Sequence, residues 1–458
     1  MSKEKSLDKL SDKEFLFELT KAQVQPALGC TEIGIVSLAC AKASSMLPGK
    51  WTSASVYVSL YVYRNDARVG VPRLGRCGIK SIAAAGLILA NPEKKLACLD
   101  ELTPTTIKQA LKFGEPSNRT IEVIVDFESD PVYTRAVVYD DKDNCAEVTV
   151  MYEHDRIVSA KLNGKETLKK ENPKNIKEKI DQAQKELTWD DLNDKVSVQS
   201  AFEIISKTKL SELEFLMDGI KMNQKVVDDG MKNTDPTSIT KAWMKVMKDN
   251  KGTFGIKNDK WAYKEIILAT AAAVDSRMYG CPLPVMSSSR SGDHGLTVTI
   301  PQYEYAKKFN IDKTKMLQAT MFAHYVTWKI KSKVGHLCGM CGSALAAGCG
   351  TIAGIAFQNG WDWEKINALL NFHMTSQGGV VCDGAKPSCS LKIMASLMAG
   401  FTAISFVSEG GRMTDKNGLT HHDFDKTLNN MARLSKKTQN PTVRNVCGIL
   451  DRMEKEAK

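Results

Sequence analysis

The sequence predicts an α+β fold: a mixed N-terminal part with an antiparallel sheet, then a mainly helical C-terminal part that carries a cluster of cysteines. Three observations lead there. Ser53–Tyr63 (SASVYVSLYVY) alternates and is rich in Val and Tyr, as a half-buried strand is. Between Thr120 and Leu162, four β-rich runs (IEVIVDF, TRAVVYD, AEVTVMY, IVSAKL) are separated by polar turns, which reads as an antiparallel meander. From Val196 onward nearly every stretch has helical character.

In chain order, Asp12 to Met46 reads as two helices split at Gln25–Glu32, where Pro26 and Gly29 break the pattern and Thr31 is placed to cap the second helix. Cys30 is therefore expected at a helix N-terminus, where the dipole and free N–H groups lower a thiol pKa. A glycine-containing loop, Val69–Gly75, follows the first strand, and Ile79–Ala90 is expected to be a helix of small residues. The lysine-rich stretch Lys165–Asp194 is expected to be a connecting helix. The domain division is accordingly 1–165, with the Cys30 motif and the meander, and 166–458, helical with the clustered cysteines. Turns rich in Gly, Ser and Cys interrupt the second part at Cys281–Gly295, Gly335–Gly342 and Gln377–Cys389.

The 458 residues suffice for a large buried core, and 43% hydrophobic with 25% charged residues is ordinary for a globular protein. The N-terminus lacks a secretory pattern, and stretches such as Ile267–Val274 and Leu345–Phe357 are too short, or too rich in glycine and small residues, to span a membrane. A cytoplasmic protein is expected, with no membrane partner. The net charge of +10 comes from lysines scattered among glutamates, without an arginine-rich tract or aromatic–basic platform, so no nucleic-acid partner is expected.

Twelve cysteines in a reducing compartment are free, catalytic or metal-binding. Cys338, Cys341, Cys349, Cys382 and Cys389 crowd one region, as CxxC and as two thiols seven positions apart around Gly384 and Pro387. Thiolates select zinc, copper(I) or iron–sulfur clusters. The wide second spacing and apolar surroundings give structural zinc less support. Core packing remains the ordinary reading of a lone cysteine.

The segments PALGCTEIG (Pro26–Gly34), CGSALAAG (Cys341–Gly348) and CDGAKPSC (Cys382–Cys389) resemble those of the L-cysteine desulfidases, in the iron–sulfur-dependent serine dehydratase alpha-chain superfamily, over about residues 13–450. The resemblance implies a lyase that converts L-cysteine to pyruvate, ammonia and sulfide. It implies a [4Fe–4S] cluster on Cys341, Cys382 and Cys389 with one iron open to an amino-acid substrate, Cys30 as base, and His294 beside the substrate. It leaves Cys338 and Cys349 to packing. L-serine dehydration, or a cluster-binding sensor without turnover, are the alternatives, and the reading admits a homodimer.

The substrate motifs depart from the family. Ser-Gly-Asn is Ser59-Leu60-Tyr61 here, Pro-Gly-Thr-Gly is Pro72-Arg73-Leu74-Gly75, and Gly-Ser-Gly-Asn-His-Gly is Arg290-Ser291-Gly292-Asp293-His294-Gly295. Ser59, Arg73, Arg290, Ser291 and Asp293 are therefore the substrate-binding candidates. The two arginines add cationic side chains where the family keeps glycine, and they are expected to pair with Asp293 or a substrate carboxylate.

Overall fold

The computed structural model describes residues 7–27, 31–115, 117–151, 156–168, 189–233, 235, 238–248 and 263–456. The architecture is α+β. Six strands form one mixed sheet in the order β5 (Ile121–Asp126), β2 (Trp51–Ser59), β6 (Tyr133–Asp140), β7 (Cys145–Met151), β8 (Ile157–Leu162), β9 (Lys165–Glu166). Short two-stranded ribbons join β1 (Pro26–Ala27) to β10 (Val285–Met286), and β3 (Gly70–Val71) to β4 (Arg76–Cys77).

Two features differ from the sequence expectation. IEVIVDF does not open the meander: β5 pairs in parallel with β2, and β2 separates it from β6. Only β6 to β9 form an antiparallel meander. The first strand also stops at Ser59 rather than Tyr63. The Ser59 hydroxyl accepts from Val62 N at 3.2 Å and caps the helix Leu60–Asp66, which is buried on nearly all sides. The cap and all-round burial override the β-preference of Val and Tyr. The stretch 169–188, most of the expected connecting helix, lies outside the described residues, and Asp190–Leu192 is a 3₁₀ turn.

The helix Thr31–Met46 covers β6 and β7, and the helix Ile79–Leu89 packs on it in turn. They approach closely because Gly86 has no side chain: a Cβ there would lie 2.5 Å from the Ser37 carbonyl. In the helical part, every residue of Gly348–Gln358 is buried, with Lys313–Val334, Gly292–Phe309, Trp363–Gln377 and Cys389–Ser408 packed around it. Gly350 and Gly354 let the first two of these neighbours approach. One continuous apolar core runs from Phe15 to Cys447, drawing on both parts of the chain.

Cys389–Ser408 is long and apolar enough to cross a membrane, with mean hydropathy 1.6, a length the shorter stretches weighed in the sequence lack. More than half of it is buried inside the fold, and it begins at Cys389, so it is packed as a core helix.

Candidate active site

Two segments distant in sequence are fastened together first. Pro26 and Ala27 pair with Met286 and Val285, flanked by Gln25 N donating to Ser287 Oγ at 3.2 Å and Ser287 N donating to Gln25 O at 2.8 Å. Asn223, fully buried, braces the same strand: its Nδ2 donates to Met286 O (3.1 Å) and its Oδ1 accepts from Met286 N (2.8 Å). The segment leading to Cys30 is thus held against the one leading to His294. Cys30 itself lies outside the described residues; the helix Thr31–Met46 starts at the next position.

The strand β10 runs into a tight turn. Ser288 and Ser291 exchange backbone bonds of 3.0 and 3.1 Å across Ser289 and Arg290, whose φ angles are 46° and 62°. Two consecutive left-handed residues make a turn of the I′ kind, which favours Asn and Gly. Arg73, φ 67°, is also left-handed. The positions where the resembled family keeps glycine therefore do require glycine-like backbone, and here arginine occupies them under strain of about 1–2 kcal/mol each.

Both arginine side chains are exposed, and neither pairs with Asp293. Asp293 instead takes Arg277 at 2.7 Å, an arginine the sequence reading did not single out. Arg290 acts on Asp190, which His336 Nε2 contacts at 2.9 Å. Ser59 Oγ donates to Pro131 O at 2.6 Å while it caps its helix. Ser291 stands at the end of the turn, half-buried, and precedes the helix Gly292–Phe309.

His294 is buried, and its Nδ1 has no hydrogen-bond partner among the described residues. Burial, then the charges of Lys331, His336 and Arg277, hold it well below the usual histidine range, so it is neutral near pH 7.

The cysteine segments are tied by an antiparallel bridge between Met340 and Val381. Cys341 N donates to Val380 O at 2.7 Å, and Cys382 N donates to Gly339 O at 2.8 Å. Cys389 is the first residue of its helix. Gly384 (φ 94°) presses onto the Arg64 carbonyl, where no side chain fits. Arg64, 2% exposed, donates to Cys338 O at 3.0 Å. Lys386 and Lys392 both hold Asp383.

These cations decide thiol chemistry. Burial disfavours a Cys382 thiolate, but Arg64, the Gly384 N–H, Lys386 and Lys392 together bring its pKa below the ordinary thiol value. Burial and the neighbouring Cys382 push Cys341 up to about 11, against the N–H groups of Ala344 and Ser343. Burial, then the charge of Asp293, pushes Cys389 up to about 12.

Cys382 acts electrostatically on Cys341, and Cys341 on Cys389, so the three thiols form one group of soft donors of the kind that holds zinc, copper(I) or an iron–sulfur cluster. Buried Arg64 and half-buried Lys386 and Lys392 offset the negative charge that three thiolates bring. Asp415, His421 and His422, whose ligand atoms lie within 4.8 Å of one another, are on the surface. There the Asp423 N–H donates to His421 Nδ1 at 2.9 Å, which leaves the proton on Nε2 and opposes metal binding.

The two halves meet at Gly342. A Cβ on this glycine, the residue after Cys341, would lie 2.5 Å from His294 Nε2 and 3.1 Å from Lys331 Nζ. It opens a π-turn, Ser343–Ala347, whose Ala344 carbonyl is taken by Ser396 Oγ (2.7 Å) and His373 Nε2 (3.2 Å). Cys349 is fully buried in the core, and Cys338, also buried, faces Lys331 Nζ at 3.7 Å. A cleft of about 250 Å³ flanks the β1–β10 pairing, bounded by Gln25, Pro26, Met286, Thr299 and His324. His324 Nδ1 lies 2.8 Å from Ser288 Oγ. Arg64, Arg277, Lys331 and His373 carry no sequence signal, being isolated residues in unremarkable helices.

Residues 93–447 match the family model of the serine dehydratase alpha chain. A UPF0597 protein of Clostridioides difficile (strain 630) is 30% identical over 438 residues, covering 96% of this chain and 99% of that protein. UPF0597 proteins of Caldanaerobacter subterraneus subsp. tengcongensis and Desulfatibacillum aliphaticivorans are each 30% identical, over 92% and 94% of this chain and 94% and 97% of theirs.

Proposed function

Because the chain belongs to the serine dehydratase alpha-chain family, we propose that it is a lyase performing α,β-elimination on a β-substituted amino acid, with L-cysteine as substrate and pyruvate, ammonia and sulfide as products. The observation that carries this reading is the meeting of thiols and turn: Gly342, the residue after Cys341, lies against His294 Nε2.

Cys341, Cys382 and Cys389 would hold a [4Fe–4S] cluster, which when bound supplies a Lewis acid for the departing sulfur. The elimination removes the α-proton and the β-sulfur, and the aminoacrylate left behind hydrolyses in water to pyruvate and ammonia. Cys30 is the proposed base, on the resemblance of PALGCTE; the described residues shortly before it, Pro26 and Ala27, pair with Met286 and Val285. His294, kept neutral, turns its Nε2 toward Gly342 beside the thiols and can exchange a hydrogen bond with the substrate there. Ser291 and Asp293 line the turn. A cytoplasmic location, where thiols stay reduced, belongs to the same proposal.

Anaerobic reconstitution with iron and sulfide, followed by an amino-acid panel read as 2-oxo acid and sulfide, tests this. L-cysteine should give both in equal amounts, and Cys30→Ala should abolish them while the charge-transfer absorbance persists. Pyruvate from L-serine alone would reassign the substrate. A fully loaded protein that turns over no amino acid would leave a cluster-binding protein without this activity.

A further inference from the structure

The helix Lys313–Val334 carries three lysines in its last turns, and they do different things. Lys329 and Lys333 reach Asp194, at 3.6 and 2.7 Å. Lys331, two residues from each, points to the opposite side and is 2% exposed. Its hydrogen-bond partner among the described residues is Cys338 Sγ at 3.7 Å, a weak acceptor, and no described carboxylate lies within ion-pair distance. A buried ammonium with three donors and no counter-charge is costly unless an anion completes it.

The surroundings say which anion. Lys331 Nζ and His294 Nε2 converge on Gly342, next to Cys341. Two helical turns earlier on the same face, His324 contacts Ser288, so this face lines the whole Ser288–His294 turn. The other buried or half-buried cations there are engaged: Arg277 with Asp293, Arg64 with the Cys338 carbonyl, Lys386 and Lys392 with Asp383. Arg73 and Arg290 are exposed. Lys331 is thus the buried cation left for a ligand.

We propose that Lys331 binds the carboxylate of the substrate, fixing an amino acid between His294 and the thiols; this rests on the reading of the site as one for an amino acid. A charge-assisted bond from a desolvated ammonium makes the site select carboxylates, and it assigns to the helix Lys313–Val334 the specificity that Arg73 and Arg290 were expected to supply.

Calorimetry on the anaerobically reconstituted full-length protein tests it with three probes: L-cysteine, its carboxylate-free analogue cysteamine, and pyruvate. Wild type should bind L-cysteine and pyruvate, and cysteamine at least tenfold more weakly than L-cysteine. Lys331→Met should weaken L-cysteine and pyruvate ten- to a hundredfold and leave cysteamine unchanged, with iron content preserved. Lys331→Arg should restore part of the loss, and Lys331→Gln replaces the Met variant if that one does not fold. In turnover the defect should fall on KM more than on kcat.

Unchanged carboxylate binding in the variants would overturn the proposal. So would loss of iron at an unchanged cysteine-to-cysteamine ratio, which would make Lys331 a counter-charge for sulfur. Pyruvate separates the two readings: a wild type without lyase activity whose pyruvate binding still depends on Lys331 keeps the anchor and removes the lyase.

Discussion

Asp293 and Arg277 stand 2.7 Å apart, with their side chains only 11% and 9% exposed. Asp293 is thus the counter-charge of an arginine from the preceding helix, and its substitution has a structural effect before any catalytic one. Asp293→Asn removes a carboxylate from a buried guanidinium and should destabilise by about 1–3 kcal/mol. Arg290→Gly relieves a left-handed residue in an exposed turn, offset partly by glycine's freedom in the unfolded chain, and should stabilise by about 0.5–1 kcal/mol. Denaturant midpoints of the two single variants, moving in opposite directions, check both. Equal midpoints would mean that neither the pair nor the strain matters.

The ligand assignment is tested cysteine by cysteine. Serine at Cys341, Cys382 or Cys389 should each remove the brown absorbance after anaerobic reconstitution. Serine at Cys40 or Cys349, both fully buried in the core, should leave iron content intact in whatever fraction folds. Iron retained in all three site variants would refute the assignment.

Arg64 acts on Cys382 through space, and this can be read without any metal. Burial raises this thiol's pKa, and Arg64 is the largest influence in the other direction. In cluster-free protein, Arg64→Met should shift the pH profile of Cys382 alkylation upward, so that labelling at pH 7 slows several-fold while labelling at pH 10 changes little. Superimposable profiles would exclude the guanidinium as the cause.

His373 makes the fold acid-sensitive. Burial lowers its pKa from 6.5 to about 4, so below pH 6.5 the unfolded chain binds a proton that the native state refuses. The stability contribution is whole above about pH 6.5 and is lost as pH falls toward about 4, by up to about 3 kcal/mol. His324, lowered to about 3, adds a second loss over a wider window. His373→Gln should flatten the fall of melting temperature between pH 6.5 and 4; an unaltered slope would show that His373 protonates freely.

Period-two alternation made strands β6, β7 and β8 legible, because a half-buried sheet imposes it locally. The parallel partner of β5 was not, since nothing local encodes which strand lies alongside. Leu60–Asp66 misled for a related reason: Val and Tyr suit a strand, but Ser59 as cap turns the chain into a buried helix. At the site, the crowding of Cys341, Cys382 and Cys389 was visible because ligands recur within short loops. Arg64, Arg277 and Lys331 were invisible, because a buried cation differs from a surface one only in its surroundings. The glycine-to-arginine departures at positions 73 and 290 are legible in the sequence as changes, yet their effect falls on the backbone, and the side chains are exposed.

The bonds that build the site bridge great lengths of chain: β1 to β10, Arg64 to Cys338, and Cys447 Sγ to the Leu60 carbonyl at 3.2 Å. During synthesis, then, the N-terminal sheet can form early, but its Arg64 has no thiol loop to face until nearly the whole polypeptide has left the ribosome. Iron and sulfide delivered to an unfinished chain would meet a Cys382 that does not yet face the charges that acidify it. The order of translation itself thus defers maturation of the site to the completed protein, and a chain that stops short of its last helix would be left without the Leu60–Cys447 closure.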